Sequence, residues 1–272
     1  MAGWNLVRTT EPPLEAAAGR TVTGVRRVGK RLVLELSGGL LLAIHLMISG
    51  RLHWKPAGAA IPKRTGLAAF DFAAGTLLLT EASTKQRASL HLLPDSAALV
   101  ALDAGGIEPL SMSVEALAET LSKEDHTLKR ALTDPRLFAG IGNAYSDEIL
   151  HRARLSPFKR STRLDANERA RLHAAITGVL TEWRDRLAAE QGERFPEKVT
   201  AFREGMAVHG RYRQPCPACG APVQRVVYAE NEMNYCARCQ TDGRLLADRA
   251  LSRLLRDDWP RTLEELEERR RG

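Results

Sequence analysis

Four cysteines in two closely spaced pairs constrain this 272-residue chain more than any other feature of its sequence. They are Cys216 and Cys219, followed by Cys236 and Cys239, and the sequence has no others. Two intervening residues let both thiolates of a pair reach one ion, and the segment between the pairs is long enough for a β-hairpin that returns the second pair to the first. Four thiolates close a tetrahedral site with no place for water, so the spacing predicts one structural Zn²⁺.

The alternative of free or redox-active cysteines fits the doubled spacing less well, and a catalytic zinc would need an open coordination position. The residues between the pairs support the hairpin. Strand-forming side chains come first, at Val223, Val226, Val227 and Tyr228. A polar run, Glu230-Asn231-Glu232, then predicts an exposed tip that can enter the groove of a partner.

The charge balance favours an anionic partner. Lys and Arg number 40 against 33 Asp and Glu, a formal net charge of +7, and nucleic acid is the first candidate for such a chain. The longest apolar stretch, Leu40 to Ile48, is interrupted by His45 and is shorter than the roughly 20 residues of a membrane span. Since the N-terminus also lacks a signal-peptide pattern, we expect a cytoplasmic protein with no membrane partner.

Residues 21 to 93 have the pattern of closely spaced strands. Aliphatic runs occupy 31–36, 40–44 and 76–79, with glycine-containing turns between them at 37–39 and 74–75. Neighbouring strands with no helical pattern between them pair antiparallel. This region predicts a β-sandwich or a barrel-like domain.

The periodicity becomes helical from Ser113, a candidate N-cap, with Glu115 in the first turn. A longer amphipathic helix is predicted from Asp165 to Leu187. The fold class is therefore α+β and multidomain. We expect an N-terminal antiparallel β-sandwich at 1–105, a helical domain at 106–205, a zinc ribbon at 206–244 and a charged helical tail at 245–272.

A turn with two glycines, Gly140-Ile141-Gly142, precedes a new helix that starts near Asn143. Glycines permit close backbone approach, and free amides at a helix N-terminus form an anion site. Phosphate binding is one interpretation of this segment. A tight connection between two helices is the other.

Together with the cysteine pairs, this segment resembles a motif of a known protein family. Residues 126 to 157 resemble the helix-two-turn-helix (H2TH) motif of the formamidopyrimidine-DNA glycosylase and endonuclease VIII family. In that family, the residues in the places of Asn143 and Lys129 hold DNA phosphates. The resemblance covers about residues 20 to 241 and implies a β-sandwich, an H2TH domain and a zinc ribbon, with damaged or abasic double-stranded DNA in the cleft between them and a monomeric protein.

Other parts of the chain resemble the family in the same order. Residues 28–36 resemble its strand with a DNA-facing lysine, here Lys30, and residues 45–50 resemble its loop whose methionine fills the gap left by an extruded base. Met47 and Ile48 are therefore candidates for this wedge, against an ordinary place in the core. Lys85 and Arg87 occupy the place of an arginine-bearing loop, against a solvated turn.

The chain also departs from the family at the residues that carry its chemistry. Family members begin Met-Pro-Glu, and the proline amine attacks the sugar, whereas this sequence begins Met1-Ala2-Gly3-Trp4. The ribbon arginine of the family is replaced by Asn231, which has no charge. Lys30 remains as the catalytic candidate, as an amine nucleophile or as a phosphate contact.

These observations leave three hypotheses. The first is a DNA repair enzyme, a DNA N-glycosylase and abasic-site lyase that excises an oxidised base or cleaves at abasic sites near the bacterial nucleoid; its true start can lie upstream of Met1. The second is a catalytically impaired relative that binds damaged DNA. The third, a zinc-ribbon transcription factor, leaves the segment from Gly140 to Asn143 unexplained.

Overall fold

The computed structural model describes residues 6–197, 199–200, 202–228, 231–247 and 260–271. The chain divides into two compact units. The first comprises residues 1–105 with 188–199, and the second comprises 106–187 with 200–272. The predicted ribbon and most of the predicted helical domain thus lie within the second unit, whereas residues 188–199 of the predicted helical domain belong to the first unit.

The first unit contains two antiparallel sheets. Its strands are β1 (Val22–Val28), β2 (Arg31–Leu36), β3 (Leu41–His45), β4 (Gly50–Lys55), β5 (Gly66–Phe72), β6 (Gly75–Glu81) and β7 (Ser89–Leu93). One sheet has the order β1-β2-β3-β7 and the other β4-β6-β5. A short 3₁₀ helix (Leu14–Ala17) precedes them, and helix α1 (Ser96–Leu102) follows them. The predicted N-terminal antiparallel sheets are confirmed.

The strand alternation explains why these sheets stack. Alternate residues of β2 and β3 point to the same side, and the larger aliphatic ones form one core with residues of β6 and β7. Its buried members are Leu34, Leu36, Leu42, Ile44, Leu79, Leu90 and Leu92. Burying each such side chain contributes about 1.5–3 kcal/mol. The opposite side of β2 and β3 packs Val33 and Ala43 with Leu99 of α1.

The segment around Lys30 is a hairpin, which corrects the prediction of one strand across residues 28–36. Strand β1 ends at Val28 and β2 begins at Arg31, and these two residues pair directly. Gly29 has a φ of 57°, and glycine with positive φ at the first central position is typical of two-residue hairpin turns. Lys30 therefore lies at a turn between strands.

The second unit begins with helices. They are α2 (Val114–Ser122), α3 (Leu128–Thr133), α4 (Asn143–Ala153) and α5 (Ala166–Gln191), with a 3₁₀ turn (Ser161–Arg163) before α5. The last four residues of α5, 188–191, belong to the first unit. Ser113 caps α2 as predicted, since its side chain accepts a hydrogen bond from the Ala116 amide. Helix α5 runs four residues beyond the predicted end at Leu187, and Asp165 and Glu168 cap its start by accepting from each other's amides.

The cysteine module forms the hairpin predicted from its spacing. Strands β8 (Gln224–Tyr228) and β9 (Asn231–Tyr235) pair antiparallel and are followed by the short helix α6 (Ala237–Thr241). Part of the predicted polar tip, Glu230, lies outside the described residues. The charged tail is described at 245–247 and from 260, where helix α7 (Leu263–Arg271) is present. Within the described residues, no helix is both long and apolar enough to cross a membrane.

Candidate metal centre and nucleic-acid interface

The four cysteines converge as a metal centre requires. Their sulfur atoms all lie within 4.8 Å of one another, with 3.9 Å between Cys216 and Cys239 and 3.4 Å between Cys219 and Cys236. Tetrahedral zinc with Zn–S bonds of about 2.3 Å places its sulfurs about 3.8 Å apart. The four thiolates therefore fit a structural Zn²⁺. It would bring the two ends of the ribbon together and take no part in chemistry.

The helix that follows the two glycines has an open N-terminus. Gly142 is the N-cap of α4 and has no side chain to cap it, so the first three amides of the helix lack a carbonyl partner within it. Asn143 is the first residue of α4, and its side-chain Nδ2 donates to the Glu232 carbonyl of β9 at 2.8 Å. This end of α4 lies next to the zinc ribbon and has the free amides and positive dipole end that suit an anion, so phosphate binding here stays a prediction.

Lys129, the other predicted phosphate ligand, has its amine engaged inside the protein. The Nζ donates to the Asn143 carbonyl, to Ser146 Oγ and to Asp147 Oδ1, at 2.8, 2.7 and 2.5 Å. These three bonds use all three hydrogens of the ammonium group. A direct contact between Lys129 and a phosphate stays a prediction, and one of these bonds would have to be given up to make it. In the arrangement described, Lys129 positions the first turn of α4.

We expect Lys129→Ala to lower the free energy of unfolding of the second unit by about 3 kcal/mol, because it removes one partner of a buried ion pair. The side chain of Asp147 is fully buried, and among the described residues it would keep only the imidazole of His209 as an ionic partner. Urea denaturation combined with hydrogen exchange of the α4 amides measures this change. The exposed Lys123→Ala is the matched control and should change stability by less than about 0.5 kcal/mol. Equal stability of the two variants would contradict the positioning role.

Two adjacent carboxylates on α4 organise this unit, and the sequence analysis missed both. Asp147 Oδ2 accepts from His209 Nδ1 at 2.8 Å and from the Asn234 amide of β9 at 3.1 Å. Glu148 accepts from three consecutive backbone amides, those of residues 207, 208 and 209, at 2.7–2.9 Å. The sequence signal that could have indicated this role is the pair of adjacent acids in a segment that resembles a phosphate site. Both carboxylates therefore hold the ribbon and its connection against α4 by accepting hydrogen bonds from them.

The first unit places Lys30 in a cluster of basic side chains. Arg31 pairs with His45 across β2 and β3, and the β3–β7 register puts His91 on the same face of the sheet. Burial lowers the pKa of the Lys30 amine. Burial, followed by the charges of Arg31, Lys30 and His91, lowers the pKa of His45. The pKa of His91 is lowered in the same way, by burial and then by the charges of Arg31 and Arg8.

This basic cluster is suited to an anion. The Nε of Arg31 is buried and has no hydrogen-bond partner within the described part of the chain. Neighbouring positive charges repel one another, and a phosphate would offset that cost. A lowered pKa also increases the fraction of Lys30 present as the neutral, nucleophilic amine.

The loop between β3 and β4 exposes both wedge candidates. Ile48 is 73% exposed and Met47 is 42% exposed, so neither lies in the core. Met47 has a φ of 54°, a left-handed conformation that costs a side-chain-bearing residue of order 1 kcal/mol. Such local strain at an exposed loop is typical of a functional position.

The other predicted DNA contacts lie on turns. Lys85 and Arg87 are exposed in the connection between β6 and β7. The buried Glu81 carboxylate fixes this connection by accepting from the amides of Arg87 and Ala88 at 2.9 and 3.0 Å. Asn231 begins β9, opposite Tyr228, at the end of the ribbon hairpin. The DNA contacts of these three residues stay predictions.

Three family models match successive parts of the chain. The formamidopyrimidine-DNA glycosylase N-terminal domain matches residues 4–87, the H2TH domain of the same proteins matches 106–187, and a zinc finger found in FPG and IleRS matches 213–241. A formamidopyrimidine-DNA glycosylase of Roseiflexus sp. is 36% identical over 246 residues, which cover 86% of this chain and 88% of that protein.

Solved structures agree with these matches. The crystal structure of the MutM (Fpg) protein from Thermus thermophilus has a TM-score of 0.71 and 33% identity, with 86% of this chain and 87% of that one covered. A complex of Lactococcus lactis Fpg with DNA containing an abasic site has a TM-score of 0.71 and 25% identity, with 82% and 83% covered.

Proposed function

Because this chain belongs to the formamidopyrimidine-DNA glycosylase family, we propose that it is a DNA glycosylase and abasic-site lyase that acts on damaged duplex DNA. A base inside the duplex cannot be reached, so such an enzyme must flip it out at a cost of a few kcal/mol, which is smaller for a damaged base. The observation that carries the chemistry is the basic cluster around Lys30. We place the protein in the cytoplasm, acting as a monomer.

The phosphate contacts in this proposal come from the open N-terminus of α4. Asn143 stands at that end, and the helix dipole favours an anion there. Lys85 and Arg87 would contribute further contacts, while Ile48 and Met47 would fill the space of the flipped base. Asn231 would contact DNA from the ribbon without supplying a charge.

We expect Asn143→Ala to weaken binding to duplex DNA by about tenfold, and by a similar factor for every sequence, because a phosphate contact carries no base information. Fluorescence anisotropy with undamaged and abasic-site duplexes measures this change. Asn167→Ala, an exposed asparagine in the first turn of α5, is the matched control and should bind like the unaltered protein. If both variants bind alike, the α4 site does not hold phosphate. If the affinity for DNA stays constant from low to high salt, basic side chains do not bind the DNA phosphates as proposed.

The chemical step we propose uses the Lys30 amine on an abasic site. The neutral nitrogen bonds to C1′ of the open-chain sugar, and the carbonyl oxygen leaves as water, which gives an imine. Loss of a C2′ proton then breaks the C3′–O bond and releases the 3′ phosphate, and water returns the free amine. His45 is our candidate for the proton acceptor, since its lowered pKa keeps it neutral at pH 7.

The second candidate function is a binding protein for damaged DNA. It is favoured by Asn231 in place of the family's ribbon arginine, because an asparagine supplies no positive charge. Release of an intact base needs acid assistance that Lys30 alone does not supply. We therefore expect abasic-site cleavage to exceed base excision.

A further inference from the structure

One stripe of α4 joins the anion site to the cysteine centre. Asn143, Asp147 and His151 are spaced four residues apart, so they lie on one face of the helix. Asn143 bonds the Glu232 carbonyl at one end of the ribbon, and Asp147 bonds the Asn234 amide in the middle of β9. At the far end, His151 Nε2 lies 3.2 Å from Cys216 Sγ.

The contact between His151 and Cys216 has the chemistry of support for a metal ligand. A zinc-bound thiolate can only accept, so the imidazole must donate its Nε2 hydrogen. His151 is 9% exposed and Cys216 is 2% exposed, so water does not compete for this bond. The imidazole is not itself a ligand, because the group of mutually close ligand atoms within the described residues comprises the four cysteines alone.

We propose that His151 is a positioning residue for the zinc centre: its Nε2–H bond to the Cys216 thiolate holds the metal-loaded ribbon against α4 and thereby couples zinc retention to the phosphate-binding end of that helix. Hydrogen bonds to metal ligands change metal affinity by about 10–100-fold when they are lost. Coupling between two sites is reciprocal, so DNA bound at the N-terminus of α4 should slow the release of zinc. The inference concerns metal retention and does not depend on which residue performs the chemistry.

Zinc release to a chromophoric chelator tests the proposal. We expect His151→Phe to release zinc about tenfold faster than the unaltered protein. His151→Gln, whose Nε2 amide can donate from a similar position, should recover most of the difference. His173→Phe is the control, because it removes another half-buried imidazole of the same unit, one that donates to the Met112 carbonyl in the helical core. Its release rate should stay that of the unaltered protein.

A second measurement separates the hydrogen bond from packing. With Co²⁺ in place of zinc, the thiolate-to-metal charge-transfer band should move to lower energy in His151→Phe, because a thiolate that accepts no hydrogen bond gives up charge more easily. Bound duplex DNA should slow zinc release in the unaltered protein and do so less in His151→Phe. Unchanged release and an unchanged band in His151→Phe would overturn the proposal. Equally fast release from the Phe and Gln variants would overturn it too, because packing alone would then explain the effect.

Discussion

Replacing Cys236 with serine will release zinc and reduce affinity for duplex DNA by about 100-fold, while the helical part of the second unit stays folded. The ribbon has a small core of its own around Val208, Val223 and the cysteines, so its fold depends on the ion, which contributes about 10–16 kcal/mol in comparable sites. The helices have a separate and larger core that includes Leu117, Phe138 and Trp183.

The loss of affinity follows from what the ribbon holds. Without zinc, β9 no longer presents the Glu232 carbonyl to Asn143 or the Asn234 amide to Asp147. Metal analysis, circular dichroism and DNA titration of one preparation measure the three outcomes. Val227→Ser changes an exposed residue of the same hairpin and is the control for ribbon substitution. Full zinc content in Cys236→Ser, or full affinity without zinc, would contradict this account.

Incubation with abasic DNA and borohydride will trap a covalent adduct at Lys30, and Lys30→Ala will lose it completely. Lys30→Arg keeps the positive charge of the basic cluster but offers no usable nucleophile, so it should bind DNA normally and also form no adduct. Mass spectrometry of the trapped peptide identifies the attachment site. The comparison of the Ala and Arg variants separates phosphate binding from covalent chemistry.

The pH dependence of trapping gives a second check on Lys30. Its pKa is lowered by burial, so the rise in the fraction of neutral amine with pH should have its midpoint below the ordinary lysine value of 10.5. The midpoint of the trapping rate against pH should therefore lie below 10.5, whereas an unperturbed lysine would reach its midpoint at that value. Attachment at another residue would transfer the role from Lys30 to that residue. If no adduct forms at saturating protein, the binding-protein function is correct.

The parts that could be predicted from the sequence are those set by local rules. Two C-x-x-C pairs predicted the zinc hairpin, and Ser113 predicted a helix start, because each depends on neighbours along the chain. The place of Lys30 was harder to predict, since strand-forming residues flank it on both sides and the turn depends on Gly29 adopting a positive φ.

The long-range hydrogen bonds within the second unit could not be predicted for a different reason. Asp147, Glu148 and His151 act on partners about 60 or more residues away in sequence, and no local pattern distinguishes a buried carboxylate from a solvated one. Lys129 illustrates the consequence. Resemblance assigns it to phosphate, yet its nearest acceptors belong to its own protein.

The polar stripe on α4 also limits how freely this ribbon can be exchanged. Zinc fingers of this type match as compact cassettes, here residues 213–241, which invites swapping them between proteins. A cassette moved out of this chain would lose the α4 side chains that bond it, because Asn143, Asp147 and His151 contact residues 232, 234 and 216. The connection before the cassette is also held by α4, since the Glu148 carboxylate accepts from the amides at 207–209. A working chimera would have to carry α4 and the connection at 206–210 together with the finger, so we expect engineered replacements and natural drift alike to change these segments as one block.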